Sequence, residues 1–204
     1  LLGRHHIPAI RQENNGENLG NNIAEVYQEG SSNTAEILQE GDIYHYQGGE
    51  HEAYINQEGD NNFVKQKQVG RDSIIDVDSI GNNNTAFQIV TENMNPGNTN
   101  IDLVQYGDWN YAYQIASHAG NSLYAYQEGS GNQISQNVSK GQTSEQSIWQ
   151  YGDDNIAHQT DIGQYNLSEI KQTGNNNWAS TKQSGGNWDQ PDNEIWINQS
   201  GSNN

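Results

Sequence analysis

The chain has 204 residues, of which 31% are hydrophobic and 22 are glycine, with long runs of Asn, Gln and Ser; this composition does not support a conventional closed core. Its 8 Lys and Arg against 26 Asp and Glu leave a net charge of -18, which argues against nucleic acid and anionic membrane surfaces as partners, since both are held by basic residues. No Cys is present for disulfides or thiolate metal sites, and no apolar run approaches the ~20 residues of a membrane-spanning helix.

Residues 1–18 read as an amino-terminal targeting or flexible segment, opening on Leu1 rather than Met as a processed form would. From residue 19 to 204 one phrase recurs, Gln-x-Gly-x-x-Asn-x-Ala. It is complete at Gln28-Gly30-Asn33-Ala35, Gln105-Gly107-Asn110-Ala112, Gln150-Gly152-Asn155-Ala157 and Gln172-Gly174-Asn177-Ala179. Variants stand at Gln57-Gly59-Asn62, Ser79-Gly81-Asn84 and Gln127-Gly129-Asn132. Composition alone would class such a chain as disordered. Strict periodicity outweighs composition here, because a polar chain can satisfy its amides against copies of its own repeat.

Sixteen positions close an apolar-polar alternation, among them Gln28, Gln39, Gln47, Gln57, Gln68, Ser79, Val90 and Gln105, and most successive intervals run 10 to 12 residues. Within each unit small or apolar residues fall at every second position, as in Asn33, Ala35, Ile37, Gln39. Period two marks strands, and the Gly- and Asn-bearing remainders mark turns. Paired in order from Gln28 with Gln39 and Gln47 with Gln57, the units predict an all-β, two-sided parallel solenoid of about eight rungs, a cross-β stack roughly 38 Å long. One edge should be a tight arc, since Ser79 to Asn84 and its later equivalents always take five residues. The other edge tolerates insertions, nine residues from Val90 to Thr99 and ten from Gln183 to Asn193, carrying Pro96 and Pro191. The second rung, where Gln39 to Gln47 spans eight residues, should have a short or distorted first strand.

An inward amide ladder follows. Asn22, Asn33, Asn62, Asn84, Asn110, Asn132, Asn155 and Asn177 open strands. Gln28, Gln39, Gln57, Gln68, Gln105, Gln127, Gln150, Gln172, Gln183 and Gln199 close them. A primary amide both donates and accepts, so a column of them bonds up and down without charge. Turn glycines with positive φ are expected at Gly30, Gly41, Gly59, Gly70, Gly81, Gly107, Gly129, Gly152, Gly174, Gly185 and Gly201. Tyr27, Phe63, Phe87, Tyr111, Tyr113, Tyr124, Tyr126, Trp149, Trp178 and Trp196 fall on outward positions. The plainer reading of these rings is strand propensity on a solvated face; the functional one is lateral bundling or adhesion. The chain ends on Asn204, the residue that would open a ninth rung, so head-to-tail stacking into a filament is expected.

The recurrence from about residue 19 onward resembles the curlin repeat of bacterial curli fibres, Ser-x5-Gln-x-Gly-x-Gly-Asn-x-Ala-x3-Gln. Ser144, Gln150, Gly152, Asn155, Ala157 and Asp161 follow it with the last Gln replaced, and Thr99, Gln105, Gly107, Asn110 and Ala112 follow it with Thr first. The resemblance implies a secreted amyloid subunit of a Gram-negative-type bacterium, exported unfolded and polymerising with itself at the cell surface. It further implies a nucleator subunit, a secretion pore and chaperones as partners, and roles in biofilm matrix, adhesion and colonisation. The neutral last repeat resembles the family's major subunit more than its nucleator. The departures are the long connections, the extra rungs, and an amino-terminal segment that is not Gly-rich.

No catalytic arrangement, cofactor or metal site is called for. Gly-x-Ser-x-Gly and His-Glu-x-x-His are absent, and Gly48-Gly49 and Gly185-Gly186 lack the Lys-Ser/Thr of a phosphate loop. His5-His6 read as a flexible terminus, and Asp60 and Asp153-Asp154 as turn residues that could attract Ca²⁺ only weakly. The alternative to a fibre subunit is a monomeric solenoid binding module, an adhesin or carbohydrate binder using the aromatic face.

Overall fold

A computed structural model describes residues 7–13, 22–41, 50–70, 72–91, 98–118, 120–139, 143–185 and 193–204. All of its regular structure is β, arranged as two parallel eight-stranded sheets. Sheet A stacks β1 (Ile7–Glu13), β3 (Thr34–Gly41), β5 (Phe63–Gly70), β7 (Thr85–Thr91), β9 (Tyr111–Ser117), β11 (Gln133–Ser139), β13 (Ile156–Gly163) and β15 (Trp178–Gly185). Sheet B stacks β2 (Ile23–Ser31), β4 (His51–Asp60), β6 (Ser73–Ile80), β8 (Thr99–Tyr106), β10 (Ser122–Glu128), β12 (Glu145–Tyr151), β14 (Asn166–Thr173) and β16 (Asn193–Ser200). The chain therefore winds as a β-solenoid of about seven turns with two strands per rung.

The period-two pattern sets the faces. In β7 Ala86, Gln88 and Val90 are buried while Phe87 and Ile89 are half-buried outside them, and the pattern repeats strand by strand. Registers hold like over like, with Ala86 on Ala112 and Gln88 on Gln114. The core between the sheets is thin: Ala35, Ala86, Ala112 and Ala157 from sheet A lie among Ile75, Ile101, Leu103 and Ile148 from sheet B. A one-residue slip would turn every inward amide to solvent, so the register is strongly specified.

The arc from sheet B to sheet A keeps its five-residue step, and there the glycine column is required sterically. Gly30, Gly59, Gly81, Gly107, Gly129, Gly152, Gly174 and Gly201 have φ between 107° and 126°. A Cβ on Gly107 would overlap the Gly129 carbonyl oxygen of the next rung. Gly70 and Gly185 also have positive φ but end sheet A strands at the opposite edge, where Gly41 pairs with Gly70. That edge takes two residues between β5 and β6 and seven between β7 and β8. Pro96, Pro191, Gly48-Gly49, Gly186 and His5-His6 lie outside the described residues.

The described residues form sixteen strands, but not the sixteen expected. Gln28 stacks directly on Gln57 and Gln39 directly on Gln68, so no rung lies between them and the expected strand closing at Gln47 has no place. Gln47 itself lies outside the described residues, in the connection that accepts insertions. Its Gln-Gly ending imitates a strand close, and including it exchanges the sheets of Gln28 and Gln39 relative to the observed ones. The sixteenth strand is β1, within the segment set apart as amino-terminal, where Gln12 stacks on Gln39. It lacks the Gln-x-Gly arc, so the repeat does not mark it.

Candidate functional site

The closing glutamines of sheet B form a hydrogen-bonded column. Gln28 Nε2 donates to Gln57 Oε1 at 2.6 Å, and beyond a gap Gln105, Gln127, Gln150, Gln172 and Gln199 link in series at 2.9 to 3.1 Å. The second amide hydrogen crosses to sheet A: Gln127 Nε2 reaches the Tyr111 carbonyl at 3.2 Å and Gln150 the Gln133 carbonyl at 3.1 Å. One side chain thus ties successive rungs and opposing sheets together, which makes burial of a primary amide tolerable. The gap is Ser79, too short to span a rung; its Oγ and the Gln105 Oε1 have no partner.

The opening asparagines run along the arc. Asn33 Oδ1 accepts the Asn62 N–H at 2.8 Å, and the same bond recurs through Asn84, Asn110, Asn132, Asn155 and Asn177 to Asn204 at 2.9 to 3.2 Å. From Asn33 to Asn177 each Nδ2 donates to the next rung's turn glycine, as Asn110 does to the Gly129 carbonyl at 2.9 Å. Beside them Asp60, Asn82, Asp108, Ser130, Asp153 and Asn175 stack with their side-chain oxygens on the preceding backbone N–H wherever the residue is Asp or Asn. Acidic and neutral residues alternate, which keeps carboxylates two rungs or about 10 Å apart, near a Debye length. Asp60 and Asp153 each commit an oxygen to this ladder.

In sheet A the closing column is mixed. Gln12, Gln39 and Gln68 link at 2.8 and 2.9 Å, and buried Val90, Ala116 and Val138 follow. Asp161 comes next, buried, accepting from Asn166 Nδ2, its carboxyl pushed up by burial. Gln183 turns its amide to the Leu167 and Asn193 carbonyls at 2.9 and 2.7 Å. Asn22 is half-buried at the outer edge, its Oδ1 accepting the His51 N–H at 3.3 Å.

A further glutamine column lies outside the expected ladder. Gln66, Gln88, Gln114, Gln136 and Gln159 occupy the middle inward position of sheet A, fully buried, linked at 2.7 to 3.0 Å. Each also donates to a sheet B carbonyl, Gln88 to Asp76 and Gln136 to Tyr124 among them, at 2.9 and 3.0 Å. The signal was present as Asn-x-Ala-x-Gln at Asn84, Asn110 and Asn155, but aligning units on their last residue hid it.

His51 also escaped notice. It is buried at a strand-opening position, Nδ1 2.9 Å from Ser73 Oγ and Nε2 3.1 Å from the Gly70 carbonyl. A carbonyl can only accept, so Nε2 carries the proton and Nδ1 accepts from the hydroxyl. Burial holds this imidazole below its ordinary value. The unfolded chain then binds the proton more readily, so stability from neutral His51 is complete above pH ~6.5 and is lost as pH falls through the folded value. Asp76 has the opposite sign: burial, then Asp78 and Asp102, push it up to about 6, so acidification through that value stabilises the fold. His51→Asn, matching the Asn22 and Asn121 of the same column, should remove the His51 effect and leave that of the raised carboxylates, Asp76, Asp102 and Asp161. Urea midpoints taken from pH 7 to pH 5 should show the variant gaining on the wild-type chain; parallel curves would refute the assignment.

The expected aromatics point outward. Phe87 lies 5.5 Å from Phe63, 6.2 Å from Tyr111 and 6.4 Å from Tyr113 on sheet A. On sheet B Tyr124 meets Trp149 at 5.6 Å, and Tyr126 lies between Tyr106 and Tyr151 at 5.9 and 5.3 Å. Tyr27, Trp178 and Trp196 are the most exposed of the expected set, at 56%, 57% and 61%. Tyr106, Tyr151 and exposed Trp109 were not foreseen. No family model matches the chain, and no curated protein or solved structure matches it.

Proposed function

We propose that this chain is the structural subunit of an extracellular fibre of the curli type, growing as the β2 edge of one copy stacks on the β16 edge of another. The observation that carries the reading is the match between those edges. From strand opening to strand close, β16 presents Asn193, Ile195, Ile197 and Gln199, and β2 presents Asn22, Ala24, Val26 and Gln28. Both read amide, apolar, apolar, amide. Gln105, Gln127, Gln150 and Gln172 each make one bond to the facing sheet and one to the next rung; Gln199 makes the first, to the Trp178 carbonyl at 2.9 Å. Its second hydrogen suits the Oε1 of another copy's Gln28. Among the described residues no strand covers β1, β2, β15 or β16 on the outer side.

The curlin-like repeat extends the proposal to secretion, a nucleator, an export pore with chaperones, and service in biofilm matrix and adhesion. Purified chain, starting unfolded, should convert after a lag to thioflavin-positive fibres with reflections near 4.7 and 10 Å. A chain that stayed monomeric for days at tens of micromolar would overturn the proposal.

A further inference from the structure

The outer faces of the two sheets differ sharply in charge. Every strand of sheet B carries at least one outward carboxylate, from Glu25 on β2 to Glu194 on β16. On sheet A, no described outward residue from β5 to β15 is Asp or Glu. Lys65 and Lys67 on β5 are already paired with Glu36 and Glu40 of β3, at 2.7 and 3.6 Å. From β7 to β13 the described outward residues include no Asp, Glu, Lys or Arg, and Phe87, Ile89, Tyr111, Tyr113 and Ile115 stand there instead. A chain of net charge -18 has kept its described carboxylates off the outer face of sheet A from β5 to β15.

We infer that this face of sheet A is an interface with the same face of a second copy, so that solenoids associate in pairs, back to back, with the acidic sheet B faces outward. Covering sheet B would strip water from carboxylates for which the chain has few cations, and an ion buried without a partner is strongly disfavoured. The same cost opposes stacking sheet A of one copy on sheet B of another. Sheet A presents rings, hydroxyls, amides and β-branched side chains, which interdigitate between sheets ~10 Å apart. The six strands β5 to β15, whose only described outward charges are the paired Lys65 and Lys67 and, at the end strand, Lys182, lie at ~4.8 Å by a strand length of ~23 Å and offer roughly 650 Å² per copy, or about 1,300 Å² for the pair, within the range of specific interfaces. A face that meets itself closes under two-fold symmetry, so association stops at two. The pairing uses a surface that growth along the axis leaves free and holds for single solenoids as for fibres.

Mass per unit length, measured by dark-field electron microscopy, tests it. Wild-type fibres should carry two chains per cross-section. Ile89→Glu with Asn137→Glu places charges two rungs apart in one outward column of sheet A and should halve that mass. Val104→Glu with Trp149→Glu does the same on sheet B and should leave it at two. One chain per cross-section in the wild type, three or more, or equal loss from both variants would overturn the pairing. Should the chain form no fibres, sedimentation of the soluble protein decides the pairing separately: a dimer that the sheet A variant alone dissociates supports it, and a monomer refutes it.

Discussion

Gly107→Ala is expected to be among the most damaging single changes in this chain, lowering stability on the order of 4 kcal/mol and blocking assembly. The backbone there has φ 107°, which side-chain-bearing residues rarely adopt, and the new methyl would overlap the Gly129 carbonyl oxygen. That oxygen has little freedom to retreat, because it accepts Asn110 Nδ2 at 2.9 Å. Gly120→Ala supplies the comparison. It too has positive φ, 76°, but its Cβ would find its nearest neighbours at 3.5 Å, an ordinary contact. Its cost should be that of the backbone conformation alone, about 1 to 2 kcal/mol. Urea denaturation of the two variants should separate them clearly; equal losses would mean that the arcs do not stack as closely as described.

Gln114→Leu is the second. Gln114 accepts from Gln88 Nε2 at 3.0 Å and donates to Gln136 Oε1 at 2.7 Å, all within the buried interior. Leucine fills the space but leaves a donor on Gln88 and an acceptor on Gln136 without their ladder partners, at about 1 to 3 kcal/mol each. Gln66→Leu should cost much less. Its Oε1 already lacks a partner, because the rung before it holds Ile37 at that position, so within the ladder the change orphans only Gln88 Oε1; the bonds to sheet B carbonyls are lost in both variants. The ladder makes the order of the two effects the test: Gln114→Leu should exceed Gln66→Leu by roughly 2 kcal/mol in unfolding free energy. Equal costs would show that the column contributes by volume rather than by hydrogen bonding.

Much of this architecture is legible in the chain itself. Alternation at Asn33, Ala35, Ile37 and Gln39 marks a strand because side chains on a pleated backbone change face at every residue. The five-residue return from Gln to Asn, with glycine two after the Gln, marks an arc because these signals are local and recur. Such features need only the neighbouring residues for their meaning. The error at Gln47 has the same origin: its surroundings satisfy the local rule, and only pairing with a rung above and below could reject it. Gln12 is the converse, a residue without the local mark that is placed by stacking on Gln39.

The central glutamine column and the outer face of sheet A from β5 to β15, free of described carboxylates, lie beyond local rules for a related reason. Gln88 and Gln114 are 26 residues apart, and their hydrogen bond exists because the insertion between β7 and β8 is absorbed at one edge without disturbing the register. Which outward residues share a face depends on the parity of every strand before them, so one miscounted unit exchanges the sheets of Gln28 and Gln39. Composition, period and turn chemistry were therefore enough to specify a two-sided parallel solenoid with amide columns. Which strands belong to which sheet, where each column breaks, and how the charge divides between the faces were settled by non-local stacking, because those properties belong to the rung above and the rung below rather than to the chain on either side.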